Sequence, residues 1–185
     1  QLLPELADRL RPMGNPVMHF RPRNPNDFAT PTFAVFTADV ADTGWYGFPA
    51  NADGVVKICN HGPGTLVDMT AGPQPLAEGT ENAFRSFLSE SLPSLAEAPV
   101  VGTRLCVYCD SFDGDFFIDE HPDKPNLFVA AGGSGHGFKF VPVLGDIIAD
   151  MVERRDGGPN KRARERFAWR ELGPSRWEDA RHSGG

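Results

Sequence analysis

Cysteine is scarce in this chain: its 185 residues include only Cys59, Cys106 and Cys109. So small and odd a number makes no disulfide framework and points to a reducing compartment, so a cytoplasmic location is expected. Long apolar runs are missing as well. No stretch approaches the roughly 18 residues that read as a membrane-crossing helix, and no basic-then-apolar amino-terminal segment marks a signal peptide. Positive charge is in deficit. The net charge is −7, which excludes a general nucleic-acid binder, because phosphate recognition wants a basic face. An initiating methionine is absent too, and the opening at Gln1 reads as a fragment, a processed product or a trimmed piece. Glycine and proline, by contrast, are plentiful at 20 and 17. They imply many turns, short strands and few long helices.

The pattern along the chain is read accordingly. Leu2, Leu3, Leu6 and Leu10 recur at helical spacing, and Pro4 suits a first turn, so residues 2–11 are predicted to be helical. Residues 16–22 read as a strand, and the polar, proline-bearing segment that follows reads as a loop. Strand-like runs at 32–40, 44–49 and 54–60, separated by turn residues, form an antiparallel meander. Residues 62–79 are irregular. Residues 80–91 form an amphipathic helix, with Thr80 as its N-cap and Ala83, Phe84, Phe87, Leu88 and Leu92 inward. Strands are predicted at 100–109, 115–119 and 126–131. After the glycine cluster 132–137 comes a helix with Leu144, Ile147, Ile148 and Met151 on one face. The polar, arginine-rich stretch from Asp156 reads as a loosely held tail.

A strand, a glycine loop and a helix in that order can place an anionic group at a helix start. Two familiar signatures fail here by one residue each. A dinucleotide fingerprint, G-x-G-x-x-G, finds Phe138 where its third glycine belongs. A serine-hydrolase elbow, G-x-S-x-G, has Gly132 before Ser134 but His136 after it.

A third reading rests on longer stretches. These are Cys106-Val107-Tyr108, then Asp115-Phe116-Phe117-Ile118-Asp119-Glu120-His121-Pro122, then Pro125-Asn126-Leu127, then Ala130-Ala131-Gly132-Gly133-Ser134-Gly135-His136-Gly137-Phe138-Lys139-Phe140, with an upstream echo at Trp45-Tyr46-Gly47-Phe48-Pro49. Together they resemble monomeric sarcosine oxidase and its relatives, the pipecolate, N-methyl amino acid and fructosyl amino acid oxidases. The looser similarity runs from about residue 1 to 155. Pro142 and Phe167-Ala168-Trp169-Arg170 lean toward the fructosyl and pipecolate branch.

The resemblance implies FAD bound covalently through Cys106, which begins the family's C-x-Y element. It implies that Lys57 and His61 are the lysine and histidine that the family places downstream of Y-G-F-P. It also implies that Lys139 pairs with the substrate carboxylate. Elementary geometry agrees in part. Alternate strand residues share a face, so Lys57, Cys59 and His61 point one way if residues 54–61 stay extended, and Cys106 and Tyr108 do likewise. On this reading Lys57 and His61 are catalytic, with Lys57 supplying positive charge where O2 takes up electrons. Gly135, His136, Gly137, Phe138 and Lys139 face the cofactor, their backbone N–H groups stabilising negative charge on it at a helix start. Tyr46, Tyr108 and Lys139 bind the substrate. The reaction is oxidation of the C–N bond of a small amino acid with a secondary amine by O2, giving an imine and hydrogen peroxide.

Other residues read as structural. Cys106 and Cys109 lie three apart in a strand, on opposite faces, with no second pair to complete a zinc site, and Cys109 reads as a core thiol. Asp119 and His121 lack a third ligand nearby and read as hydrogen-bonded turn residues, so no metal is expected. The fold class expected is α+β, a mixed and largely antiparallel sheet with helices, plus the closing strand–loop–helix segment of an FAD-binding domain. Residues 1–100 are then a substrate-domain portion, 101–155 the FAD-domain segment and 156–185 a tail. The family's dinucleotide-binding βαβ unit with G-x-G-x-x-G is not in the sequence. A missing amino-terminal half or a separate subunit is expected to carry it, and this chain alone is expected to be inactive and to expose apolar surface. The alternatives are a non-catalytic binding or scaffold domain that keeps the oxidase fold, and a hydrolase using Ser134 and His136.

Overall fold

A computed structural model describes residues 3–39 and 42–173. These residues divide into two compact units, one of residues 14–107 and one of residues 3–13 with 108–173. Strands β1 (Leu10–Phe20) and β6 (Val100–Ser111) run from one unit into the other.

In the unit of residues 14–107, β1 is followed by β2 (Phe36–Ala38), β3 (Trp45–Phe48), β4 (Val56–Asn60) and the two-residue β5 (Thr65–Leu66). The sheet order is β2-β3-β4-β1-β5, with β6 also paired to β1. The β2–β3, β3–β4 and β4–β1 pairings are antiparallel. One face is the core. Met18, Phe20, Val56 and Ile58 meet Phe84 and Leu88 of α1 (Thr80–Ser91) and Leu95 of α2 (Pro93–Ala96). Trp45 stacks on Phe87 with centroids 4.5 Å apart and meets Phe84 edge-on. Gly47 has no room for a side chain: a Cβ there would lie 2.4 Å from the Phe36 ring and 2.9 Å from Ile58. Gly47→Ala is therefore expected to cost about 1–3 kcal/mol through overpacking, read as a lower urea midpoint at unchanged slope.

In the other unit, β7 (Phe117–Glu120) pairs antiparallel with β8 (Phe128–Ala131). A 3-10 turn (Gly137–Phe140) leads into α3 (Val141–Val152), and α4 (Lys161–Phe167) follows. Ile147 and Met151 of α3 pack with Phe116 and Ile118, with Ala163 and Phe167 of α4 against them. Leu6, Phe117 and Val129 form a second cluster, bordered by Trp169.

Several expectations are corrected. The predicted helix of residues 2–11 is not found over residues 3–11, where only Pro4–Leu6 makes a 3-10 turn and Leu10 already begins β1; Leu2 lies outside the described residues. The strand wins because Arg9 accepts from the Phe112 N–H, a long-range bond that local leucine spacing cannot reveal. Gly79, not Thr80, caps α1, and the Thr80 hydroxyl donates backward to Ala77. Ala83 is exposed. The basic stretch is not a solvated tail as far as Arg170. Arg170 binds Asp113 with two nitrogens and lies over Phe112 and Phe117, while Arg154 pairs with Glu120. The remainder of that stretch, from residue 174, lies outside the described residues. The α+β class is observed, with helices beside antiparallel strands. Among the described residues no helix is long and apolar enough to cross a membrane.

Candidate functional site

The registers sort the side chains of the sheet in residues 14–107. Tyr46 lies opposite Cys59 and Phe48 opposite Lys57; Cys59 lies opposite Val17 and Lys57 opposite His19. Directly opposed residues share a face, so this face, turned from α1, carries Tyr46, Phe48, Lys57, Cys59, Val17 and His19. The ladder extends to His61, whose N–H donates to the Gly44 carbonyl at 2.7 Å. His61 therefore keeps the alternation expected for it.

β6, paired to β1, brings Cys106 and Arg104 close enough to Cys59 to act on its thiol electrostatically. Asn15 alternates with Val17 and His19 along β1 and so shares their face. Sequence reading missed Asn15, although an asparagine inside the apolar run Met13–Phe20 is an anomaly that could have flagged it. The residue is 1 % exposed, and neither amide atom has a hydrogen-bond partner among the described residues. A buried amide left unsatisfied costs about 1–3 kcal/mol.

The three thiols differ. Cys59 is fully buried. Burial pushes its thiol up, while the hydrogen-bonded Tyr46 side chain and the charges of Lys57 and Arg104 pull the other way. Cys106 is half-buried, and Cys109, expected in the core, is exposed; its side chain falls on the opposite face of β6 from that of Cys106. Lys57 has no carboxylate partner among the described residues. Its ammonium sits 5.0 Å from the centroid of the Phe48 ring.

The glycine loop lies in the other unit. Ser134 is buried at positive φ. Its hydroxyl accepts from the Ser111 N–H and donates to the Gly132 carbonyl, and its own N–H donates to Cys109. This hydroxyl is a loop brace, which removes the hydrolase reading. The expected row of free amides at a helix start is also corrected. The N–H groups of His136 and Gly137 both donate to the Gly133 carbonyl, and α3 begins only at Val141. Gly135 has φ +73°, and a Cβ there would lie 2.4 Å from the Tyr108 ring. Gly135→Ala is expected to destabilise the chain by more than about 1 kcal/mol, from left-handed backbone strain plus the clash. Tyr108→Ala in the same chain should recover part of that loss in a double-mutant cycle.

Phe138 is 91 % exposed, with Val141 and Val143 more than half exposed. The Lys139 ammonium lies 5.2 Å from the Phe140 ring centroid, without an ion pair among the described residues. Asp119 and His121 behave as structural groups. Asp119 accepts from the Glu120 and Trp169 N–H groups, and the His121 ring meets Glu5 at 2.7 Å. Lys124, the residue's own N–H and His121 hold the Glu5 carboxyl down to about 2. Among the described residues no group of three or more metal-binding side chains occurs.

Comparison with known proteins completes the description. The model of the FAD dependent oxidoreductase family matches residues 1–151. The N-methyl-L-tryptophan oxidase of Salmonella typhimurium (strain LT2) is 40% identical over 126 residues, which are 65% of this chain and 32% of that protein. That of Escherichia coli O139:H28 is 38% identical over 127 residues, with the same coverage. Among solved structures, Amadoriase I, a fructosyl amine:oxygen oxidoreductase from Aspergillus fumigatus, matches with TM-score 0.70 and 30% identity over 88% of this chain and 38% of its own. The fructosyl peptide oxidase from E. terrenum matches with TM-score 0.79 over 97% of this chain and 44% of its own, but at 21% identity it speaks for the fold alone. The chain thus spans about a third of the length of the curated relatives it matches.

Proposed function

The chain belongs to the family of FAD dependent oxidoreductases, and from that premise we propose that it forms part of an oxidase that uses O2 to oxidise the C–N bond of an N-substituted amino acid. The observation that carries the proposal is the sheet face of residues 14–107. It presents a half-buried thiol and, among the described residues, an ammonium without a carboxylate partner and a buried, unpaired amide on neighbouring strands. That donor set fits a flavin ring: a thiol to tether it, a cation for the charge that develops beside it, and a polar group that still lacks a partner.

When bound, FAD would supply the acceptor for the two electrons lost from the C–H bond of the amine-bearing carbon as C–N becomes C=N, with O2 as the final acceptor, giving hydrogen peroxide. The chain's own residues do the rest. Cys106 is the point of attachment. Lys57, steadied by Phe48, holds positive charge where oxygen gains electrons. Tyr46 and His61 line the substrate side of this face. In the other unit Tyr108, braced against Gly135, is a further substrate-binding residue. There Gly135, His136, Gly137 and Phe138 form the cofactor-facing loop, and Lys139 meets the substrate carboxylate as a compact charge. Residues 101–155 act as the closing segment of the FAD-binding domain. The released imine is hydrolysed by water.

The 185 residues contain no G-x-G-x-x-G turn, so the ADP portion of FAD is held by other residues, on a preceding segment or a separate subunit. The test is to incubate the purified chain with FAD, remove free flavin, and assay peroxide with N-methyl amino acids. Little retained flavin and no peroxide are expected. Full flavin loading with turnover would show that the chain needs no further dinucleotide-binding half.

A further inference from the structure

β6 (Val100–Ser111) is the longest strand among the described residues, and it pairs with β1 alone. A strand has hydrogen-bonding groups on both edges, with alternate residues pointing each way, so half of those of β6 face away from β1. Near the end of the strand such groups are answered: the Ser134 N–H donates to the Cys109 carbonyl at 3.0 Å, and the Ser134 hydroxyl accepts from the Ser111 N–H at 3.2 Å. From Val101 to Val107 the described residues offer no backbone partner other than β1. The usual protection of an open edge is missing too. Val101-Gly102-Thr103-Arg104-Leu105-Cys106-Val107 has no proline, no lysine and a single charge. Val101 and Val107 are exposed. They share one face with Thr103 and Leu105 by alternation, and there Val67 and Met69 complete a shallow groove with Thr103, Leu105 and Val107. Gly14 has no room for a side chain beneath it, because a Cβ would lie 2.5 Å from Leu105 and 2.8 Å from Val67.

A long edge with unanswered backbone groups and an apolar border is built to take one more strand. We propose that β6 receives a strand of the dinucleotide-binding portion that this chain does not contain, paired along Val101–Val107, with alternate apolar side chains of that strand seated in the groove beside Val67 and Met69. Two observations select this occupant. The 126 matched residues are 32% of the Salmonella typhimurium relative, so most of that protein's length has no counterpart here. The 185 residues also lack the G-x-G-x-x-G turn. The inference rests on the reading that the ADP portion of FAD is held by other residues, and it adds the surface at which those residues join this chain. Cys106 lies on the same strand with its side chain on the other face, so the added strand fixes the backbone that carries the attachment thiol.

The experiment follows amide hydrogen exchange, by NMR in the full chain alone and by mass spectrometry with residue-level fragmentation in the holoenzyme. In the chain alone the amides from Val101 to Val107 should alternate, every second one exchanging at least about tenfold faster than its neighbours. In the holoenzyme the fast set should slow to the level of those neighbours. Val101→Lys places a charge at the border of the groove. It should leave the exchange pattern of the chain alone unchanged, because Val101 is exposed there. In the holoenzyme it should speed the outer amides at least about fivefold, the range of one lost hydrogen bond, whereas Val101→Ile should not. Holoenzyme protection that ignores Val101→Lys would overturn the role of the groove. Alternation that survives in flavin-loaded holoenzyme would overturn the pairing and leave the oxidase reading intact. Protection already complete in the chain alone and lost on dilution would give the edge to a second copy of this chain, which also overturns the proposal. A chain that loads flavin and turns over unaided would remove the premise instead.

Discussion

Cys106→Ala is expected to abolish covalent attachment of flavin in a holoenzyme that contains this chain. After denaturation of the variant, all of its flavin should appear in the protein-free supernatant, whereas the unmodified protein should keep its flavin in the pellet. The expectation follows from comparing the three thiols. Attachment needs a sulfur that is both exposed and able to lose its proton. Cys59 has neither property, because it is fully buried and its thiol is pushed up by that burial. Cys109 is exposed, yet it projects from the opposite face of β6. Cys106 alone combines partial exposure with the face that bears Lys57. Cys59→Ala and Cys109→Ala should therefore keep the flavin bound, and loss of attachment in either, with retention in Cys106→Ala, would reverse the assignment.

Lys57→Met is expected to lower kcat/KM for oxygen by roughly 10²–10³, the usual consequence of removing one preorganised group from developing charge. The substitution keeps most of the side chain's length and removes its charge. Lys57 lies in the middle of β4, hydrogen-bonded on both sides to β3 and β1, so its backbone is fixed. Its ammonium is steadied by the Phe48 ring and is not cancelled by a carboxylate among the described residues. The KM for the amine should change little, since Lys57 is not assigned to the substrate. Lys57→Arg should recover part of the rate, because it restores charge with a different shape. An unchanged oxygen dependence in Lys57→Met, with the amine KM raised instead, would move Lys57 from the oxygen reaction to substrate binding.

Much of the architecture was legible because local periodicity and tertiary burial agree. Phe84 and Leu88 recur at helical spacing and are the buried residues of α1; Ile147 and Met151 do the same in α3. Lys57 and Cys59 fall on one face because strands alternate, and both lie within the extended, paired strand β4. The failures come from long-range partners. Leu3, Leu6 and Leu10 have helical spacing, but they serve a cluster around Phe117 and Val129 that lies more than a hundred residues away. The segment carrying α4 reads as polar because five of its residues between 161 and 170 are basic. Its Ala163 and Phe167, four apart, are enough to seat it on the core beside Phe116, and two of its arginines find Asp115 and Asp113. The glycine loop was recognised, but its hydrogen bonding was not. Which amides turn inward depends on the positive φ values of Ser134 and Gly135, and spacing does not encode these.

The measurement that bears most directly on the account is the mass of the Cys106 peptide from holoprotein isolated with its cofactor. The account predicts a peptide heavier by one FAD, with the Cys59 and Cys109 peptides at their unmodified masses. An unmodified Cys106 peptide, with flavin freely released or carried on another residue, would contradict it.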